Sequence, residues 1–201
     1  MLKLLKHTPL TVVKVGGSLF PLSDLGDRLE KFLKCSDFGN VVIIAGGGPF
    51  ADAVRVLDQS HQLSSESSHE LGVRVLSISG RFLACLSDKL RWAETAFQVS
   101  QAWENCRFPV LDIAGLVLQH STLPASWDVT SDSLAAWAAT LNAQSRLILL
   151  KSVELTVPIC TAKAAAEMGF VDKFFPHVSQ NVTRIDWVNL RSSLPEVTHW
   201  K

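Results

Sequence analysis

The sequence has no excess charge of either sign, no long hydrophobic run and no paired cysteines. Lys+Arg and Asp+Glu both total 19 in 201 residues. A formal net charge of zero gives no electrostatic case for nucleic acid or an anionic membrane as a partner. No apolar run approaches the roughly 20 residues of a membrane span. The opening MLKLLKHTPL is broken by Lys3, Lys6 and His7, which argues against a signal peptide. Cys35, Cys85, Cys106 and Cys160 are scattered, with no C-x-x-C pair and no cluster of histidines. That spacing argues against structural zinc and reads as buried free thiols in a reducing cytoplasm. Repeats, low-complexity tracts and linkers are also missing.

What is present is a compact globular composition, 47% hydrophobic and 19% charged, of a length that favours one domain over residues 1–201. Apolar, β-rich runs alternate with helical patterns. TVVKVGG reads as a strand, and PLSDLGDRLEKFLKC follows as an amphipathic helix with Leu25, Leu29, Phe32 and Leu33 at helical spacing. NVVIIAGGG is a second strand and PFADAVRVLDQSHQL a second helix, opened by Pro49 and Asp52. Residues 61–70, rich in Ser and Glu, read as a mobile loop before a further helix. A short strand is expected near Arg107 to Asp112, with another around Leu116. WDVTSDSLAAWAATLNA reads as a turn and helix, SRLILLKSV as a strand, TAKAAAEMGFVDKFF as a short helix and VTRIDWVNL as a closing strand. Strands apolar on both faces and separated by helices imply an α/β fold with a covered, mainly parallel sheet.

Two strands end in glycine clusters, Gly16-Gly17 and Gly46-Gly47-Gly48, and the first carries Lys14 within an otherwise apolar run. In open α/β sheets, ligands sit outside the carboxyl ends of the strands. Glycine admits positive φ and close approach of a ligand to the backbone, and a helix N-terminus beyond it favours an anion. Two such loops, one beside a strand lysine, point to phosphate. The common phosphate motifs do not fit. A P-loop G-x-x-x-x-G-K-[ST] is missing, GGGPFA lacks the dinucleotide-binding spacing, and the protein-kinase H-R-D and D-F-G are absent.

VVKVGGSLF, VVIIAGGGPFADAVR, VTSDSLAAWAA and LILLKSVE, in that order, resemble the successive motifs of the amino acid kinase family, over most of the chain. The resemblance implies an αβα sandwich with a mainly parallel central sheet. It implies a phosphoryl acceptor over residues 1–125 and ATP, with Mg²⁺, over residues 126–201. Lys14 matches the strand lysine that contacts the transferring phosphoryl group. Gly16, Gly17, Ser18, Gly46, Gly47 and Gly48 match the loops that wrap the phosphates, and Asp132 matches the aspartate that orients the lysines. Asp128 is a weaker candidate, facing the acceptor or its cationic group.

Where many members have Thr-Asp, this chain reads Lys151-Ser152. Lys151 is therefore expected as a second catalytic cation, with Lys163 as a possible substitute that reads better as a solvated helix lysine. No protein ligand for Mg²⁺ can be named. The compact length looks most like the small aminomethylfuran phosphate kinase subgroup, which implies an acceptor with both a phosphate and an ammonium group. Arg55, Arg74, Arg81 and His69 lie in the region that should face that phosphate. The implied activity is an ATP-dependent kinase for a small phosphate or carboxylate acceptor, in a cytoplasmic homo-oligomer with a dimer favoured. The alternative is a ligand-binding regulatory domain of the same fold without turnover.

Overall fold

The computed structural model describes residues 1–34, 38–155 and 161–200. Seven strands form one sheet: β1 (Thr11–Val15), β2 (Val41–Ala45), β3 (Leu90–Ala93), β4 (Phe108–Leu111), β5 (Arg146–Lys151), β6 (Arg184–Asn189) and β7 (Thr198–His199). Their spatial order is β3-β4-β2-β1-β5-β6-β7, so β1 is the central strand. Every pairing is parallel except that of the short edge strand β7 with β6. The helices are α1 (Leu2–His7), α2 (Leu25–Lys34), α3 (Gly48–His61), α4 (Ser65–Ala84), α5 (Ala96–Glu104), α6 (Ile113–His120), α7 (Ser131–Thr140), α8 (Ala162–Glu167) and α9 (Phe175–Ser179). The expected αβα arrangement around a mainly parallel sheet is what forms.

Two apolar cores, one on each face, hold the sheet. Val13, Val15, Ile43, Ile148 and Leu150 pack with Leu25, Leu29, Phe32 and Leu33 of α2. Val12, Ile44, Leu147 and Leu149 pack on the other face with Leu134, Ala135 and Ala138 of α7 and Phe175 of α9. Each fully buried Leu or Ile among them contributes roughly 1.5–3 kcal/mol by leaving water. Side chains alternate along a strand, so Lys14 falls on the Val12 face and Lys151 on the Leu149 face. The register pairs Lys14 with Leu149 on β5, which sets Lys151 two residues nearer the carboxyl edge on the same face. Both ammonium groups therefore meet α7. Its run Ala135-Ala136-Trp137-Ala138-Ala139 is buried throughout, and the four alanines put small side chains on a helix that packs against β1 and β5.

Four expectations need correction. Residues 61–70 do not form a loop: α3 runs through His61, Gln62 closes it with left-handed backbone, and α4 begins at Ser65. The Ser64 hydroxyl accepts the Ser67 amide as an N-cap, and the Ser/Glu composition belongs to an exposed first turn. The segment around Leu116 is α6, started by the Asp112 carboxylate accepting the Ala114 amide and turning Ile113, Leu116 and Val117 inward. TAKAAAEMGFVDKFF is not one short helix: α8 ends at Glu167 and α9 begins at Phe175. Cys85 and Cys106 are free as expected but exposed, because each lies where the chain turns out of a helix, after α4 and α5. Cys35 and Cys160 lie outside the described residues.

Candidate active site

At the carboxyl edge of β1 and β5, one carboxylate lies between two lysines. Asp132 is in the first turn of α7 and buried. Its Oδ2 accepts a 2.8 Å hydrogen bond from Lys151 Nζ, and its Oδ1 lies 2.8 Å from Lys14 Nζ. The second contact is an equally short ion pair, so each carboxylate oxygen faces its own ammonium group. Burial alone would raise the Asp132 carboxyl, but the two ammonium groups outweigh it and hold the pKa at about 2. Burial pulls Lys151 down to about 8 despite the attraction of Asp132. Lys151 also donates to the Phe170 carbonyl at 2.8 Å and sits 5.4 Å from the centre of the Trp187 ring.

The two glycine loops press together beside this triad. A Cβ on Gly17 would stand 2.1 Å from the Gly48 amide nitrogen, so only glycine permits the approach. Gly48, at φ +52°, starts α3 with left-handed backbone and lies under Phe20. Gly16 and Gly46 extend the ladders, donating to the Leu150 and Val15 carbonyls at 2.8 Å each. Ser18 joins this edge to the end of β5, its hydroxyl 3.0 Å from that of Ser152. Lys14, Asp132 and Lys151 are thus brought together, with Gly16, Gly17, Ser18, Gly46, Gly47 and Gly48 at the same edge of the sheet.

A cavity of about 400 Å³ opens from the loops between α3, α4 and the α7 turn. Gly17, Gly48, Asp52, Arg55, His69 and Trp127 are among its lining residues. Arg55 stacks over the Trp127 ring at 4.9 Å and pairs with Asp52 at 3.0 Å. The indole donates to Asp58 Oδ2 at 2.6 Å, and Asp58 Oδ1 accepts from Ser68 at 2.5 Å. Those two bonds hold the Asp58 carboxyl below the usual range. An arginine fixed by a ring and a carboxylate, with a histidine nearby, suits an anionic group, and Asp52 suits a cationic one.

The other candidates lie elsewhere. Arg74 pairs with Glu70 along α4, and Arg81 pairs with Glu94 while lying over Trp92. Neither is among the residues lining the cavity. Asp128 is exposed and pairs with Lys173 at 3.3 Å. Lys163 is exposed, 3.9 Å from Glu167 on its own helix, so it is a solvated helix lysine.

Sequence reading missed Asp172 and Phe170, both in the stretch taken as one short helix, and Trp127 as a wall of the cavity. Asp172 accepts from Thr130, Ser133 and Phe175, tying the start of α7 to the segment that holds Lys151. The sequence signal for Asp172 is weak, a charged pair Asp172-Lys173 set among apolar residues in GFVDKFF.

The glycine cradle and paired lysines fit a polyphosphate. They do not make a protein-only metal site. Among the described residues no group of three or more His, Cys, Asp or Glu side chains could hold a metal, and Asp132 is already engaged by two lysines. Among the described residues, too, no helix is long and apolar enough to cross a membrane.

No family model matches the chain. It is 28% identical over 144 residues to [5-(aminomethyl)furan-3-yl]methyl phosphate kinase of Methanocaldococcus jannaschii, covering 71% of this chain and 66% of that protein, just under two thirds of its length. Among solved structures, the uridylate kinase of Archaeoglobus fulgidus superposes with a TM-score of 0.58 at 12% identity, over 90% of both chains. The UMP kinase of Bacillus anthracis gives 0.63 at 11% identity, over 92% of this chain and 90% of the other. The chain has the fold of these kinases, and the resemblance to the amino acid kinase family is borne out by the relative and by the fold.

Proposed function

We propose that this chain, which has the amino acid kinase fold, is a small-molecule kinase that transfers the γ-phosphoryl group of ATP to an anionic acceptor. The observation that carries the reading is the Lys14–Asp132–Lys151 triad beside two touching glycine loops. Phosphoryl transfer asks for positioning and charge neutralisation more than for covalent chemistry by the protein. Lys14 supplies a compact positive charge to the group in flight, the loops supply backbone dipoles, and Asp132 holds both lysines in place. An acceptor oxygen bonds to the γ-phosphorus as the bond to the ADP oxygen breaks. The acceptor is assigned to the cavity, whose walls include the turn at Ser126 to Leu134, and the nucleotide to the rest of residues 126–201. Mg²⁺, when bound, would help neutralise the phosphates of the nucleotide.

The acceptor class follows from the cavity walls. Arg55 and His69 favour a phosphate, and Asp52 favours an ammonium group. That combination is compatible with the aminomethylfuran phosphate in the name of the 28% identical relative, and the product is then a diphosphate. Retention of both lysines, the carboxylate and both loops argues against a binding domain without turnover. The test is ADP formation with ATP and Mg²⁺ in the presence of [5-(aminomethyl)furan-3-yl]methyl phosphate, with UMP as the competing candidate. Turnover with the amine-bearing phosphate above UMP supports the reading. Nucleotide binding by calorimetry with no turnover on either leaves only the binding domain.

A further inference from the structure

We propose that Asp172 is a positioning residue that holds Lys151 in place by capping two helices at once. The proposal rests on the triad being the phosphoryl-transfer site. Helix α7 lacks a cap of its own, since the N-cap residue Thr130 makes no side-chain bond to the first turn. Asp172 supplies it from another part of the chain. Its Oδ2 accepts the Thr130 amide at 3.0 Å, the Thr130 hydroxyl at 2.8 Å and the Ser133 amide at 2.9 Å. Its Oδ1 accepts the Ser133 hydroxyl and, at 2.9 Å, the Phe175 amide at the start of α9. A carboxylate at a helix N-terminus is favoured by the orphan amides and by the helix dipole. Here one carboxylate serves two such ends.

The consequence is at Lys151. Its Nζ is gripped by Asp132, on the turn of α7 that Asp172 caps, and by the Phe170 carbonyl, two residues before Asp172 in the chain. The two grips come from separate segments, and Asp172 ties those segments together. The same capping sets Thr130, which lines the acceptor cavity. The ionised carboxylate also adds to the attraction that keeps Lys151 charged. A capping residue that only stabilised α7 would leave the lysine unaffected.

The closing experiment reads Lys151 directly, so that it stands apart from turnover. The chain is labelled with ¹³C at lysine Cε, Lys151 is assigned by its loss in Lys151→Arg, and its titration is followed by NMR. In Asp172→Asn, and by less in Ser133→Ala, which keeps the charge and cuts one tie, Lys151 is expected to titrate at lower pH than in the parent, while Asp128→Asn, at the surface, leaves it unchanged. A shift in Asp172→Asn with none in Ser133→Ala would reduce Asp172 to a distant charge and overturn the positioning role. Where the parent turns over, Asp172→Asn loses on the order of 10-fold or more in kcat, since a small misplacement near the chemistry can cost up to about 100-fold. If Asp172→Asn does not fold, Ser133→Ala carries the test. A folded variant whose Lys151 titrates where the parent's does would overturn the proposal. Loss of turnover in the parent itself would count against the kinase reading and not against this one.

Discussion

The ends of β1 and β5 place lysines on the same face of the sheet and against the same carboxylate, yet they hold them differently. Lys14 has one short ion pair, to Asp132, and Gly16-Gly17 begin two residues beyond it. Lys151 makes aligned bonds to Asp132 and the Phe170 carbonyl, lies over Trp187 and is followed by Ser152. An ammonium group has three donors. Lys14 therefore keeps two donors for whatever enters between the glycine loops, whereas Lys151 has committed two of its three to the protein. The pair separates a free charge for chemistry from a fixed charge for the local field.

The most severe way to break this comparison is to remove the carboxylate both lysines share. Asp132→Ala leaves two buried ammonium groups uncompensated and is expected to cost about 3–5 kcal/mol in stability, with turnover lost as well. Chemical denaturation measures it, and Lys151→Met in the same background should restore part of the stability. Next comes the loop that only the Lys14 end possesses. Gly17→Ala puts a methyl group where the Gly48 backbone stands. It should lower the melting temperature and cut kcat on the order of 100-fold, because the loops cannot close to their working geometry.

pH sharpens the comparison with a smaller effect. Lys151 titrates at about 8 in the folded chain against 10.5 unfolded. Its charged form is therefore disfavoured by folding. Between those values the unfolded chain binds more protons, so this group's contribution to stability rises with pH. Activity should move the opposite way, with kcat/KM falling as pH climbs through about 8 and Lys151→Met lacking that limb. Asp132 behaves conversely: its stabilisation is present above 3.8 and is lost as pH falls toward about 2. Denaturant melts across pH check both signs. The smallest effect lies farthest from the lysines. Arg55→Ala should raise KM for a phosphate-bearing acceptor about 10-fold with kcat largely kept, the loss of one charge-assisted contact.

Much of this edge could be read from sequence, and the reason is local contrast. Lys14 interrupts an apolar strand and Lys151 ends another, so each needs an anion. Asp132 is assigned to the lysines by the family resemblance, and the glycines mark where backbone must approach backbone. What sequence concealed depends on partners distant in the chain. Asp172 reads as a surface aspartate until α7 is seen to lack its own cap. Residues 61–70 read as a loop because most of their polar side chains face solvent from two helix ends, with Ser68 turned inward to Asp58. Leu116 has a strand-like neighbourhood, but Asp112 starts a helix before it. In LRWA, Leu90 and Ala93 are buried and Arg91 exposed, too short a pattern to announce β3.

The measurement that tests the central claim most directly is the steady-state kinetics of Lys14→Ala, with a thermal melt to confirm folding. A lysine that meets the phosphoryl group in flight stabilises the transition state more than the bound nucleotide. A folded Lys14→Ala protein should therefore lose on the order of 100-fold or more in kcat with ATP affinity little changed. Lys14→Arg should recover little, because a planar fork replaces a point charge. A folded Lys14→Ala protein that turns over its acceptor at near the parent's kcat would contradict the assignment and leave Lys14 as a strand-end charge paired with Asp132.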